Sequence, residues 1–188
     1  MVQMVFLDTD VILDYLENRN QEVRDIVAQL LFFHKKGKII LATSVLNLAE
    51  LIDKEFEIHF IGWCLKERFS YDETISKLHR DEKMYREISE KNRKGIESRI
   101  EKFIFQNSIQ ILSLSEIGGY EELCDLIYKR NLRSQDAFIV ATAMQNKATY
   151  FLSNDSNLTS RVGDLIDTYN LRDKNLREFF RKNVLEAI

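Results

Sequence analysis

The chain contains no proline, and no low-complexity stretch interrupts it. Nothing marks a linker, so the sequence reads as a single domain over 1–188. It has only two cysteines, Cys64 and Cys124. They form neither a disulfide framework nor a metal-ligand spacing, and Cys124 falls on the apolar face of an expected helix, as core. The three histidines, His34, His59 and His79, are scattered. Each reads as a surface residue or satisfied packing, which argues against zinc. No apolar run approaches the ~18–20 residues of a membrane span. The opening MVQMVFLD carries no basic segment ahead of an apolar one, so it does not read as a signal peptide. A cytoplasmic protein with no membrane partner is the expectation. Basic charge is not in excess either: the net charge is −3 and the pI about 5.7. That excludes nucleic-acid binding by bulk charge, but not local patches or a site whose own acids are neutralised by metal. A Gly-rich phosphate loop, a Cys/His nucleophile pair and a Ser-centred elbow are also missing.

What is present is a chain of 188 residues, 45% apolar and 30% charged, enough for one domain with a real core. Residues 2–7 form an apolar strand ending at Asp8. Thr9 and Asp10 lead into a short helix, and Asp10 can cap it from Val11 onward. Asn20 caps the next helix, in which Val23, Ile26, Val27, Leu30 and Leu31 recur at helical spacing until Gly37 stops it. Residues 39–42 are a second strand, and Thr43 and Ser44 open a helix containing Leu48, Glu50 and Leu51. From about Lys54 to Asn107 charges are dense and no strand is evident. Ile75, Leu78, Tyr85, Ile88, Ile96, Ile100 and Phe103 fit one or two long amphipathic helices jointed at Gly95, a helical insertion. Between Lys77 and Lys102 nine basic residues face six acidic ones. This reads as a solvated face of i,i+4 pairs or as a basic arm against phosphates. Residues 109–112 are a third strand. Tyr120, Leu123, Cys124, Ile127 and Tyr128 define a helix. Residues 164–169 form a fifth short strand after the fourth described next, and 173–185 a last helix. Arg172–Lys182 again carries more basic than acidic residues, five against two.

The stretch SQDAFIVATAMQNKATYFLSNDSNL, 134–158, organises the rest. Ser134 suits an N-cap for a helix from about Gln135 to Gln145, apolar nearly all round and so buried against a sheet. Ala148–Leu152 reads as a strand. At ~1.5 Å per helical residue and ~3.3 Å per strand residue, helix and strand carry the chain out and back by about the same distance. Packed antiparallel, they bring Asp136 and Asp155 to one end. Taken singly, Asp136 is a first-turn acid favoured by the helix dipole and Asp155 a helix cap. Short apolar strands alternating with helices, however, indicate a parallel sheet covered on both faces. Such sheets bind ligands at the carboxyl ends of their strands. Asp8 and Asp155 follow strands one and four, and Asp136 reaches the same edge. Carboxylates crowded on one rim repel. A hard divalent cation, Mg²⁺ or Mn²⁺, resolves the conflict while keeping positions open for phosphate. The residues point to metal-assisted phosphate chemistry.

The ordered set LDTDVILDYL, SVLNLAELI, SQDAFIVATA and YFLSND resembles the PIN-domain family of metal-dependent ribonucleases, which includes VapC-like toxins. The resemblance implies a three-layer α/β/α sandwich around a short, mostly parallel sheet of four to five strands, with 54–107 as an insertion. It also implies RNA cleavage with Mg²⁺ or Mn²⁺. The family's acidic positions fall on Asp8, Glu50, Asp136 and Asp155. Asp8 and Asp136 would be the principal metal ligands. Glu50 and Asp155 would bind through water or complete a second metal site. Thr9 and Ser153 would hydrogen-bond the carboxylates or a metal-bound water. Glu50 enters by resemblance alone, because the rim geometry does not bring it in. Asp10 stands where the family often has Asn; unless it caps the helix, it adds a fifth acid. The implied partners are RNA as substrate, a second copy in a homodimer, and an antitoxin-like protein. VFLDTDVIL also resembles the first motif of haloacid-dehalogenase-like phosphatases, with Asp8 as nucleophile and Asp10 as acid/base. That reading leaves Glu50 and DAFIVATA unexplained, and Val11 replaces its usual Gly. A third reading is a PIN-like binding module without catalysis.

Overall fold

The computed structural model describes residues 2–79, 90–115 and 119–188. Five strands form one all-parallel sheet in the order β3-β2-β1-β4-β5. They are β1 (Gln3–Leu7), β2 (Ile39–Ser44), β3 (Gln110–Leu112), β4 (Tyr150–Ser153) and β5 (Asp167–Asn170). The helices between them are α1 (Thr9–Leu16), α2 (Gln21–Lys35), α3 (Val45–Lys66), α4 (Tyr71–His79), α5 (Glu90–Phe105), α6 (Gly119–Tyr128), α7 (Ser134–Gln145) and α8 (Ser156–Val162). After β5 comes α9 (Lys174–Asn183). No helix among the described residues is long and apolar enough to cross a membrane.

The layers follow from the period of two along each strand. Val5, Leu7, Leu41 and Leu152 point to one face and join the buried residues of α1, α2, α5 and α9. Phe6, Ala42 and Phe151 point to the other and meet α6, α7 and α8. The Phe6 and Phe151 rings stack across β1 and β4, centroids 5.6 Å apart. Both faces of the sheet are therefore dry, which is why the strand sequences are continuously apolar rather than alternating. A satellite cluster of Phe60, Cys64, Trp63 and Phe69 joins the end of α3 to α4.

Local chemistry sets the boundaries. Asn20 caps α2, accepting from the amides of Glu22 and Val23, and all five apolar residues expected on its face are buried. The chain leaves α2 through Gly37 at φ +69, a left-handed conformation natural to glycine. Ser44 caps α3, accepting from the Asn47 amide.

Several expectations need correction. Arg133, not Ser134, occupies the cap position of α7 and makes no side-chain cap bond. Asp8, not Asp10, is the N-cap of α1. The α5 helix runs unbroken through Gly95, so there is no joint, because a single glycine costs only about 1 kcal/mol and Ile96, Ile100 and Phe103 anchor both halves. In α6 the buried residue is Leu126, while Tyr120 and Tyr128 are 76% and 82% exposed. Cys124 is half-buried rather than core. Helical spacing alone does not separate the two faces here, since a tyrosine serves either side of an amphipathic boundary. The expectations for Tyr85, Ile88 and the side chain of His79 lie outside the described residues.

Candidate active site

One residue beyond the paired positions of β1 and β4, Asp8 stands level with Ser153. The Asp8 amide donates to the Leu152 carbonyl at 2.9 Å. Asp8 is only 7% exposed. Its carboxylate accepts from the Thr9 amide at 2.8 Å and from Asn47 Nδ2 at 2.7 Å. Ser153 also donates to it. Burial, above all, pushes Asp8 up to about 6, and the Glu50 charge adds to the rise. The bonds from Ser153, Thr9 and Asn47 pull it back.

Glu50 belongs to this group. Thr9 Oγ1 donates to Glu50 Oε2 at 2.7 Å. The helix α3 starts at the carboxyl end of β2, so a residue little more than one turn along it, ~7.5 Å, still overlooks the rim. Lying inside a helix rather than at an element end, Glu50 leaves no mark on the rim in the sequence pattern alone. Asp136, in the first turn of α7, is half-buried; burial raises its pKa first, and the Asp155 and Glu50 charges raise it further. Arg133 opposes them. Asp155 caps α8 through the amides of Asn157 and Leu158, and its own amide donates to Ser153 Oγ at 3.1 Å. The capping role and a place beside Asp136 are therefore compatible.

Asp10 has a different neighbourhood. Both its oxygens accept from the Asn154 amide, at 3.1 and 2.9 Å. Burial drives its pKa well above the usual carboxylate range, with the Asp8 charge next, while Asn154 and Arg172 pull it down. It ties α1 to the turn after β4. An acid/base role like that of the phosphatase motif leaves this double engagement and the position of Glu50 unexplained.

Sequence reasoning missed Asn47, which is fully buried. Its Nδ2 reaches both Asp8 and Thr9, and Ser44 donates to its Oδ1. A signal was present: Ser44, Asn47 and Glu50 recur every three residues on one face of the expected helix, pointing at the strand end. Beside Glu50 opens a groove of about 1020 Å³, lined by Leu46, Ile75, Leu78, Leu114 and Phe138 among others.

The donor set is all oxygen, with no sulfur or imidazole, which suits a hard divalent cation. As the side chains stand, no three acids, cysteines or histidines among the described residues converge closely enough to hold an ion. The charges repel one another, and Asp8 is engaged by Asn47. The donor types fit the ion; the convergence has to come from rotation of half-buried Glu50 and Asp136 and exposed Asp155.

The family model described as the PIN domain matches residues 65–165. This chain belongs to the PIN-domain family, whose members are in general nucleases that use divalent metal ions. Among solved structures it is similar to a chain in the crystal structure of VapBC2 from Rickettsia felis bound to a DNA fragment from their promoter. The identity is 16%, the TM-score 0.56, and the match covers 89% of this chain and 99% of that one. No curated protein matches the chain.

Proposed function

We propose that the protein is a metal-dependent endoribonuclease that hydrolyses RNA phosphodiester bonds at the carboxyl edge of its sheet. The observation that carries this reading is that four carboxylates from separate elements lie along one edge of the sheet, near one another but not yet converged on a single point. Asp8 comes from the end of β1, Glu50 from α3, Asp136 from α7 and Asp155 from the cap of α8; burial raises the pKa of Asp8 and Asp136, and the neighbouring acids add to the rise. In this reading Asp8 and Asp136 hold Mg²⁺ or Mn²⁺ directly. Glu50 and Asp155 act through water or complete a second site. When bound, the ion supplies an activated water and neutralises charge developing on the phosphate. Thr9 orients Glu50, while Asn47 and Ser153 fix the buried carboxylate of Asp8. Phe138, 40% exposed at the groove, offers a face on which a base can stack.

The likeness to a chain of a VapBC complex extends the proposal to a cytoplasmic toxin-type nuclease with an antitoxin-like protein partner. A homodimer and the reading of 54–107 as a helical insertion within the single PIN-like domain belong to the same proposal. One observation favours a PIN-like binding module without catalysis: the acids do not converge as they stand. The two readings separate in one experiment. Purified protein with Mn²⁺ is incubated with varied structured and single-stranded RNAs, alongside calorimetry of Mn²⁺ binding. Cleavage lost in Asp8→Asn and Asp136→Asn with folding intact establishes the nuclease. Intact RNA together with no metal heat ends it.

A further inference from the structure

Asn154 lies between two candidate site residues, Ser153 and Asp155, and it is held from three sides. Its amide donates to Asp10. Its carbonyl accepts from Asn170 Nδ2 at 3.2 Å. Its own Nδ2 donates to Asp14 Oδ2 at 2.9 Å. Asp14 is 0% exposed, a carboxylate with no access to water. It is matched by Arg172 in a two-pronged pair, Nε to Oδ2 at 2.9 Å and Nη2 to Oδ1 at 2.6 Å. Arg172 is in turn placed by Asn170, whose Oδ1 accepts from the Arg172 amide at 2.9 Å. The start of α1, the turn after β4 and the turn after β5 are thereby joined beside the acid rim.

Asp14 is buried but Arg172 is 48% exposed, so the pair is partly screened and contributes little net stability. What it supplies is direction, because a guanidinium fork fixes a carboxylate in plane and so fixes where its remaining lone pairs point. Here the third group that meets them is the side-chain Nδ2 of Asn154, while its backbone N–H goes to Asp10. Shifting Asn154 would shift both of its neighbours: the Ser153 hydroxyl that donates to Asp8, and the Asp155 carboxylate that faces Asp136.

We propose that the Asp14–Arg172 pair is a positioning device for the candidate site, setting through Asn154 the placement of Ser153 and Asp155 and hence the affinity of the acid cluster for a divalent cation. This rests on the metal-dependent reading above.

The test compares the full chain with Arg172→Gln and Arg172→Lys. Mn²⁺ affinity is measured by calorimetry. Hydrogen exchange of the Asn154 and Asp155 amides is measured on metal-free protein. In Arg172→Gln, Mn²⁺ affinity is expected to fall roughly 10–100-fold, the usual cost of losing a residue that orients a metal ligand. Exchange at Asn154 and Asp155 is expected to rise about as much, while Val5 and Phe151 in the sheet stay protected. Arg172→Lys, which keeps the charge but loses the fork, is expected to fall between. If Arg172→Gln does not fold, Arg172→Lys carries both measurements. Affinity and exchange both within about twofold of wild type would overturn the proposal. A wild type that binds no Mn²⁺ sinks the metal reading itself. That failure is recognisable, since the exchange comparison still separates a held turn from an unheld one.

Discussion

Glu50 and Glu55 stand five residues apart on α3 and meet opposite conditions. Glu55 is fully buried, and Arg99 reaches it from α5 while also pairing with Glu17 at the end of α1. His59, one turn on, touches the same guanidinium. Burial pushes Glu55 up to about 7, and the Arg99 charge opposes the rise. Glu50 looks the other way, toward Asp8 and Asp136. No ion pair joins Asp8, Glu50, Asp136 or Asp155 to a lysine or arginine among the described residues. The first cluster carries its counter-ion in the chain and clamps α5 onto α1 and α3. The second forms no such pair among the described residues; in the proposed reading a divalent cation supplies the counter-charge. Carboxylates alone do not distinguish structure from function; the cation that faces them does.

The largest effect that tests this contrast is on chemistry. Asp8→Asn or Asp136→Asn should lower RNA cleavage about 10³-fold, the scale of several kcal/mol of lost charge stabilisation. Mn²⁺ binding heat should vanish with helix content unchanged. Arg99→Met should leave cleavage within a few-fold of wild type, and a loss as deep as that of Asp8→Asn would erase the distinction between the clusters. Next in size is stabilisation by metal. At 100 times its dissociation constant, Mn²⁺ should stabilise the wild type by about 2.7 kcal/mol, read as a rise in Tm. Arg99→Met should gain the same increment from a lower start, and Asp8→Asn none. Smaller again is the cost of Arg99→Met itself. Removing one partner strands Glu17 and Glu55 together, but Arg99 is 39% exposed, so the loss should be about 1–2 kcal/mol by urea unfolding.

A last effect is the pH dependence of the metal-free protein. Glu55 rises from its ordinary 4.5 to about 7 in the fold. The folded state therefore keeps a proton that the unfolded chain releases, and stability falls as pH climbs through that window. In Glu55→Gln this part of the slope should flatten, while the part due to Asp8 remains. An unchanged slope would show that Glu55 is neutralised by Arg99 throughout.

The sheet and its direction were legible because short apolar strands between amphipathic helices admit few arrangements. Asp8, Asp136 and Asp155 were legible as element ends on one rim. Glu50 was reached only through likeness to the PIN family, since an acid inside a helix has no edge to announce it. Asn47 was not reached at all. A buried amide leaves no trace in periodicity, and its role depends on which strand end its helix faces. The Asp14–Arg172 pair was hidden for a related reason: Asp14 reads as a polar break in an apolar helix face until β5 delivers its partner. The α6 helix shows the reverse error, where tyrosines looked like core and lie outside.

The strand order has a consequence for how the protein comes into being on the ribosome. β1 pairs with β4 as well as β2, so Asp10 waits for Asn154, made 144 residues later. Asp14 waits longer still, for Arg172. Long-range parallel pairing of this kind forms late. The acid rim does not exist in any short nascent fragment; Asp8 and Glu50 wait for Asp136 and Asp155, made more than about 80 residues after Glu50. Under the proposed function, activity against RNA would arise only after the strand and cap that carry Ser153 and Asp155 have been made.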